Sequence, residues 1–139
     1  ASFYIKETES AYISLESGNV ILLDDGLCEF SKYDALNSNT LYTGIYVVGK
    51  DISSGGIDIK CTTDYLKIVV FENLGKYSEY HKADRYTIGQ EADAIETYCL
   101  NKEFIYKNGS ASVNLKDGMI LMIDEGVGKF TADSGPIVN

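Results

Sequence analysis

The side chains best suited to chemistry are scattered along this chain, and their spacing matches no catalytic motif. His81 is the only histidine, and it lies in the charged stretch YSEYHKADRY, which predicts an exposed imidazole. A catalytic triad needs its histidine beside a nucleophile and an acid, and no nucleophile motif such as GxSxG occurs. We therefore expect no enzymatic activity.

Two acidic pairs, Asp24-Asp25 and Asp124-Glu125, come closest to a metal-binding motif. A calcium loop supplies oxygen ligands at alternating positions over about a dozen residues, whereas apolar residues flank both pairs here. The glycine that follows each pair favours a tight turn instead. No phosphate-binding loop or dinucleotide fingerprint occurs. The sequence therefore predicts neither a metal site nor a cofactor.

The three cysteines, Cys28, Cys61 and Cys99, form no CxxC motif. An odd number without paired spacing predicts free thiols and folding in a reducing cytosol rather than a disulfide framework. No basic and apolar leader opens the chain, so we expect no signal peptide.

The net charge of −9 argues against two classes of partner. Phosphate backbones and anionic membrane surfaces both repel such a protein. The longest apolar runs, such as residues 119–123, are too short to cross a bilayer. We expect neither nucleic acid nor a membrane as a partner.

The two acidic pairs belong to a longer internal similarity between residues 4–33 and 104–133. Aligned without gaps, these 30-residue segments share eight identities, where about two are expected from residue frequencies. The identical residues of the first segment are Ile5, Ser10, Ala11, Leu15, Gly18, Asp24, Gly26 and Phe30. A true duplication and a shared β-hairpin pattern both fit the alignment.

In both segments an apolar run enters an acidic pair and a glycine, which is a strong hairpin signal. The pattern predicts hairpin tips at Asp25-Gly26 and Glu125-Gly126. It also predicts that Leu23 and Ile123 are buried in equivalent positions.

The remaining segments predict a mainly β protein, a small β-barrel or sandwich-like module of hairpins with at most one or two short helices. Residues 1–10 form an N-terminal arm in this interpretation, and residues 11–139 form a single domain. Predicted strands occupy residues 41–49, 57–61, 65–72, 103–107 and 110–115, the last two flanking an Asn108-Gly109 hairpin turn. A polar loop is expected at 73–87, and a helix at 89–100 with Ala92, Ile95 and Cys99 on one face.

Two alternative folds would bind a small ligand without metal chemistry. A third, weaker copy of the repeat at residues 66–80 would suggest a β-trefoil. Residues 113–130 look like the second motif of a cupin, with Lys129 where a metal-ligating histidine is expected, and the first cupin motif is missing. A lysine ammonium cannot ligate a metal.

The run from Gly18 to Phe71 resembles the core pattern of the head decoration proteins of tailed phages. The matching stretches are residues 20–23 with Asp25-Gly26, residues 44–47 and residues 57–59, and residues 117–135 repeat the first of them. The resemblance implies a structural virion protein that binds the outside of a capsid and stabilises it. It further implies a major capsid protein as the partner and a homo-oligomer, commonly a trimer. The negative charge suits the capsid exterior, and free thiols suit assembly in the host cytoplasm.

The resemblance also implies an N-terminal arm that orders on the shell. Phe3, Tyr4 and Ile5 form an apolar patch within residues 1–10, and we predict that they bind a partner by adding a strand to a neighbouring subunit or to the shell. The internal alignment leaves open an ordinary intrachain strand at Tyr4 and Ile5, because these residues correspond to Phe104 and Ile105.

Overall fold

The computed structural model describes residues 4–5, 10–32, 39–82 and 97–132. These residues form two stacked β-sheets and one helix. The strands are β1 (Ala11–Tyr12), β2 (Thr40–Leu41), β3 (Thr43–Val47), β4 (Gly55–Cys61), β5 (Tyr65–Phe71), β6 (Asn101–Tyr106), β7 (Ser110–Leu115), β8 (Ile120–Glu125) and β9 (Gly128–Ala132), and helix α1 (Leu74–Lys82) follows β5.

The five-stranded sheet A has the order β1-β3-β8-β5-β6, and the four-stranded sheet B has the order β2-β9-β4-β7. Along the chain β3, β4 and β5 come first, and β6, β7 and β8 then pair with them in the reverse order. The antiparallel pairs β3–β8, β4–β7 and β5–β6 are therefore nested. A nested antiparallel ribbon rolled into two sheets is the connectivity of a jelly roll. The sheets form a sandwich and no closed barrel within the described residues.

The predicted mainly β, sandwich-like fold is confirmed, but the predicted hairpins at two turns are wrong. The Asn108-Gly109 turn joins β6 in sheet A to β7 in sheet B, and Glu125-Gly126 joins β8 in sheet A to β9 in sheet B. A turn signal shows that the chain reverses, not which sheet it enters. Since residues 120–123 are a continuous apolar run, β8 needs cover on both faces, which a central strand provides.

The core lies between the two sheets and follows the alternation of the strands. In β4, Ile57 and Ile59 point inward, whereas Asp58 and Lys60 lie on the outer face. The predicted half-exposed strand at 57–61 and the core strand at 65–72 are thus confirmed.

Helix α1 occupies residues 74–82 of the loop predicted at 73–87, and residues 83–87 lie outside the described residues. The Asn73 side-chain oxygen accepts a 2.9 Å hydrogen bond from the Lys76 N–H, which caps the helix N-terminus. Tyr77 and Tyr80 pack their rings within 5.5 and 5.3 Å of the Phe71 ring and cover the outer face of sheet A. The loop prediction failed because it was based on the polar composition of the whole segment and did not consider that Tyr77 and Tyr80 share one helix face.

Helix α1 also bears on two other predictions. It contains Gly75, Lys76 and Tyr77, so the third repeat copy at 66–80 is not a strand-turn-strand unit and the trefoil loses its sequence support. Of the helix predicted at 89–100, residues 89–96 lie outside the described residues.

Candidate functional site

The segment from residue 13 to residue 32 is called the arm below and is distinct from the predicted N-terminal arm at residues 1–10. It repeats the local geometry of residues 113–132. A backbone hydrogen bond of 3.0 Å closes the same turn in each segment, from the Asn19 N–H to the Glu16 carbonyl and from the Met119 N–H to the Lys116 carbonyl. Equivalent glycines also share a positive φ: 91° at Gly18 and 89° at Gly118, 82° at Gly26 and 88° at Gly126. The aligned sequences therefore adopt the same turns.

The two segments differ in their burial. In β8, Ile120, Leu121, Met122 and Ile123 are all buried. Leu23, predicted to match Ile123, is instead 54% exposed. The large apolar side chains of the arm are exposed at Ile13, Leu15, Val20, Ile21, Leu22, Leu23, Leu27 and Phe30.

The predicted hairpin tip at Asp25-Gly26 is also wrong, because no strand occurs between residues 13 and 32. An apolar run specifies that a segment needs cover, but it does not supply the neighbouring strand. The arm has the turns of the β8–β9 unit without that unit's strand partners.

The arm is held firmly where it leaves the sandwich. The Tyr12 ring stacks on the Tyr46 ring at a centroid distance of 4.7 Å, and its hydroxyl donates a 2.9 Å hydrogen bond to Asp51. The other Asp51 oxygen accepts the Val47 N–H at 2.8 Å. The start of the arm is therefore fixed to the border of sheet A next to β3.

A second exposed apolar surface lies on the opposite border of sheet A. Tyr65, Phe104 and Tyr106, called the aromatic patch below, point away from the core beside the edge strand β6. The Tyr65 and Phe104 rings stack at 5.3 Å, and the Phe104 and Tyr106 rings meet edge to face at 5.5 Å. Phe104 is 52% exposed and Tyr106 71% exposed. Within the described chain, the aromatic patch is therefore an exposed aromatic surface beside an edge strand.

The N-terminal residues predicted to bind a partner are only partly described. Phe3 lies outside the described residues. Tyr4 is 87% exposed and Ile5 is 36% exposed, and neither lies in a strand. The intrachain strand left open by the alignment is therefore absent at these two residues, and their role in partner binding stays a prediction.

The side chains that could take part in catalysis or metal binding lie apart from one another. His81 is half-buried and stacks on Tyr77 at 5.9 Å, so it is less exposed than predicted. The three cysteines are free thiols: Cys28 is exposed, Cys61 is buried and Cys99 is intermediate. Within the described ranges, no three His, Cys, Asp or Glu side chains come together as a metal site.

A shallow polar depression of about 560 Å³ lies on the outer face of sheet B. Lys60 and Lys129 face each other across β4 and β9 in its floor. Asp58, Ser110, Ser112, Thr131 and Asn39 complete its lining. Lys129 thus faces away from the space between the sheets, whereas its neighbour Phe130 packs against the core.

The aromatic patch was not predicted, although its signal is present in the sequence. Phe104 and Tyr106 are two residues apart in a predicted strand, so they share one face of it. Their cross-strand neighbour Tyr65 depends on the register of β5 and β6, which the sequence does not reveal.

Comparisons of the chain with family models, with curated proteins and with solved structures find no match. In the part of the chain that the structure describes, no helix is both long and apolar enough to span a membrane.

Proposed function

We propose that this chain is a structural assembly protein that binds the outside of a phage capsid lattice and stabilises it. The observation that carries the proposal is that a small sandwich with its own core leaves two separate apolar surfaces in water, the arm and the aromatic patch. Monomeric soluble proteins rarely expose large contiguous apolar patches. Both surfaces are accounted for if neighbouring proteins cover them.

Three further features support a capsid exterior over other assemblies. The stretches that resemble decoration proteins at residues 44–47 and 57–59 lie in strands β3 and β4 of the sandwich. The net charge of −9 suits a surface that is kept away from packaged nucleic acid. Tyr4 is exposed, as a segment that orders on a shell requires.

In this role the chain works as a homo-oligomer, with a trimer as the expected state, and its partner is a major capsid protein. Phe3, Tyr4 and Ile5 add a strand to the shell, where backbone hydrogen bonds give affinity and alternate side chains set the register. The role assigns the protein no enzymatic activity and no cofactor.

The proposal is tested first by the neighbouring genes, which should encode a major capsid protein, and then by co-sedimentation with shells assembled from that protein. We expect the full chain to sediment with the shells and not with unassembled capsid protein. Deleting residues 1–8 should weaken shell binding by about tenfold or more, equivalent to about 1.4 kcal/mol. The melting temperature of the isolated protein should stay within about 2 °C, since about 1 kcal/mol shifts it by several degrees.

Two results would contradict the proposal. Full-length protein that stays in the supernatant at micromolar concentrations would remove the assembly role. A large fall in melting temperature after the deletion would show that residues 1–8 belong to the protein's own core.

A second candidate function is the binding of a small anionic ligand, as in a metal-free cupin-like module. The observation that favours it is the pair Lys60 and Lys129, since like charges directly opposite on neighbouring strands destabilise a sheet unless something compensates them. Asp58 supplies one negative charge in the same lining, which leaves the depression with an excess of one positive charge. Calorimetric titration with a panel of sugar phosphates tests this function. Binding that Lys60→Ala abolishes would support it, and the absence of any binding would remove it.

A further inference from the structure

We propose that residues 18–31 of one copy close the open side of the sandwich of a neighbouring copy. In this arrangement residues 20–25 pair with β6 and residues 28–31 pair with β7 of the neighbour. The inference rests on the proposed assembly role and deepens it, because it names the contact that joins copies of the chain.

The first support is the geometry that the arm shares with the β8–β9 unit. In that unit the turn at Gly126 carries the chain from sheet A to sheet B. Gly26 has nearly the same φ, and the apolar run and acidic pair before it are aligned with β8. Residues 20–25 and 28–31 are therefore suited to enter two different sheets.

The second support is a border of the sandwich at which both sheets present an edge. Among the strands of the described residues, β6 ends sheet A and β7 ends sheet B, and the two strands are in contact through the Asn108-Gly109 turn. Each offers six residues. A strand-turn-strand unit that crosses between sheets matches this border, since each of its strands extends one sheet.

The third support is the placement of the arm. It begins after β1 and leads to β2, the strands that end sheets A and B on the border opposite β6 and β7. The arm leaves the sandwich at that border and its large apolar side chains are exposed, so it lies where a copy docked at the border can receive it.

Donor and acceptor surfaces on opposite borders make the contact head-to-tail rather than two-fold symmetric. A head-to-tail contact closes into a ring when the rotation between copies allows it. The oligomer expected from this geometry is cyclic.

The fourth support is the chemistry of the two surfaces. Leu22 is 81% exposed and Leu27 fully exposed in the arm, opposite the exposed Phe104 and Tyr106 of the aromatic patch. Residues 18–30 contain three acidic and no basic side chains, a charge of −3, whereas residues 101–107 contain two lysines and one glutamate, a charge of +1. Apolar surface and charge are thus complementary.

The test uses the purified full-length chain, without shells, and measures its mass by light scattering at about 10–100 µM. A donor variant carries Leu22→Asp and Leu27→Asp, and an acceptor variant carries Phe104→Asp and Tyr106→Asp. Leu74→Asp is the control, because Leu74 is 61% exposed and lies outside both surfaces. We expect the wild type and the control to be rings, and each double variant to have the mass of one chain. Since all five side chains are exposed, circular dichroism should remain that of the wild type.

Mixing the two double variants in equal amounts gives the sharpest result. The acceptor variant keeps a working arm and the donor variant keeps a working patch, so the mixture should form dimers and nothing larger. A single-chain mass for the wild type, a ring formed by either double variant, or a mixture that stays monomeric would each overturn the inference. Should a double variant lose its fold, a chain whose arm is replaced by a Gly-Ser linker serves as the second donor-deficient protein.

The inference and the proposed function fail separately. A wild type that forms rings, with both double variants monomeric, but does not sediment with shells would keep the arm contact and remove the proposed function. A wild type that binds shells as a monomer would keep the proposed function and overturn the arm contact.

Discussion

Gly126 and Gly118 have the same positive φ but different surroundings. At Gly126 an added methyl group would collide with the backbone carbonyl of Tyr65 and approach the Thr63 hydroxyl at 2.8 Å. At Gly118 an added methyl group meets nothing within 4 Å. Positive φ costs about 1–2 kcal/mol for a residue with a Cβ. Alanine at position 118 would therefore carry this cost alone, whereas alanine at position 126 would also carry the cost of the collision.

Gly126→Ala should therefore lower the free energy of unfolding by about 2 kcal/mol more than Gly118→Ala does. Strain at φ applies to both variants, and only the first must also displace backbone, which costs about 1–3 kcal/mol when a packed region is overfilled. Urea unfolding of the two variants beside the wild type measures the difference. Equal losses would show that the β8–β9 turn moves away from β5 without resistance.

Turn glycines were predictable at these positions because an acidic pair before glycine favours a reversal. Their surroundings were not predictable, because Tyr65 lies about sixty residues away in the chain and meets Gly126 only through the pairing of β5 with β8. Residue type predicted the local backbone conformation, whereas long-range packing determines how much stability a substitution at each glycine costs.

At the scale of elements, strands with clean alternation or continuous apolar runs were predictable, as β4 and β5 show. The sheet that each strand joins was not, since the pairs β3–β8 and β4–β7 join residues far apart in the chain. The arm shows that an apolar run alone does not determine whether a strand forms. Its apolar run is typical of a strand, yet the described chain provides no strand to pair with it.

Helix α1 was missed although its N-terminal signal stands in the sequence. Asn73 is a preferred capping residue, and Tyr77 and Tyr80 lie at the spacing of one helix face. The cap is a separate contribution from the aromatic packing, because the Asn73 side chain bonds only to backbone in the contacts seen.

Asn73→Ala should destabilise the protein by about 1 kcal/mol, the usual cost of losing an N-cap. Asn73→Asp keeps an acceptor oxygen and adds a negative charge at the helix N-terminus, so its stability should stay within about 0.5 kcal/mol of the wild type. Thermal unfolding of the two variants compares them at one site. Equal destabilisation by both would mean that the hydrogen bond to Lys76 does not stabilise the fold.

At the scale of the whole molecule, the core and the arm are separate. Among the described residues, the buried apolar side chains of the core lie within residues 41–123, with Tyr12 and Phe130 packed against them, and Leu15, Val20, Leu22 and Phe30 of the arm are all exposed. The arm leaves and rejoins one border of the sandwich, where Tyr12 and Thr40 mark its two attachment strands. The sandwich should therefore fold without the arm.

A chain in which a Gly-Ser linker of about eight residues replaces residues 14–32 tests this separation. Such a linker has a coil dimension of about 15 Å, and shortening the connection reduces the entropy lost on closing it by a few tenths of a kcal/mol. At protein concentrations low enough for the full chain to be monomeric, the shortened protein should keep the β-type circular dichroism of the full chain and unfold at the same urea concentration or slightly higher. It should also be more soluble, because the exposed apolar side chains between Leu15 and Phe30 are removed. A cooperative unfolding transition that disappears in the shortened protein would contradict the separation, since it would show that the arm covers part of the core in the protein's own fold.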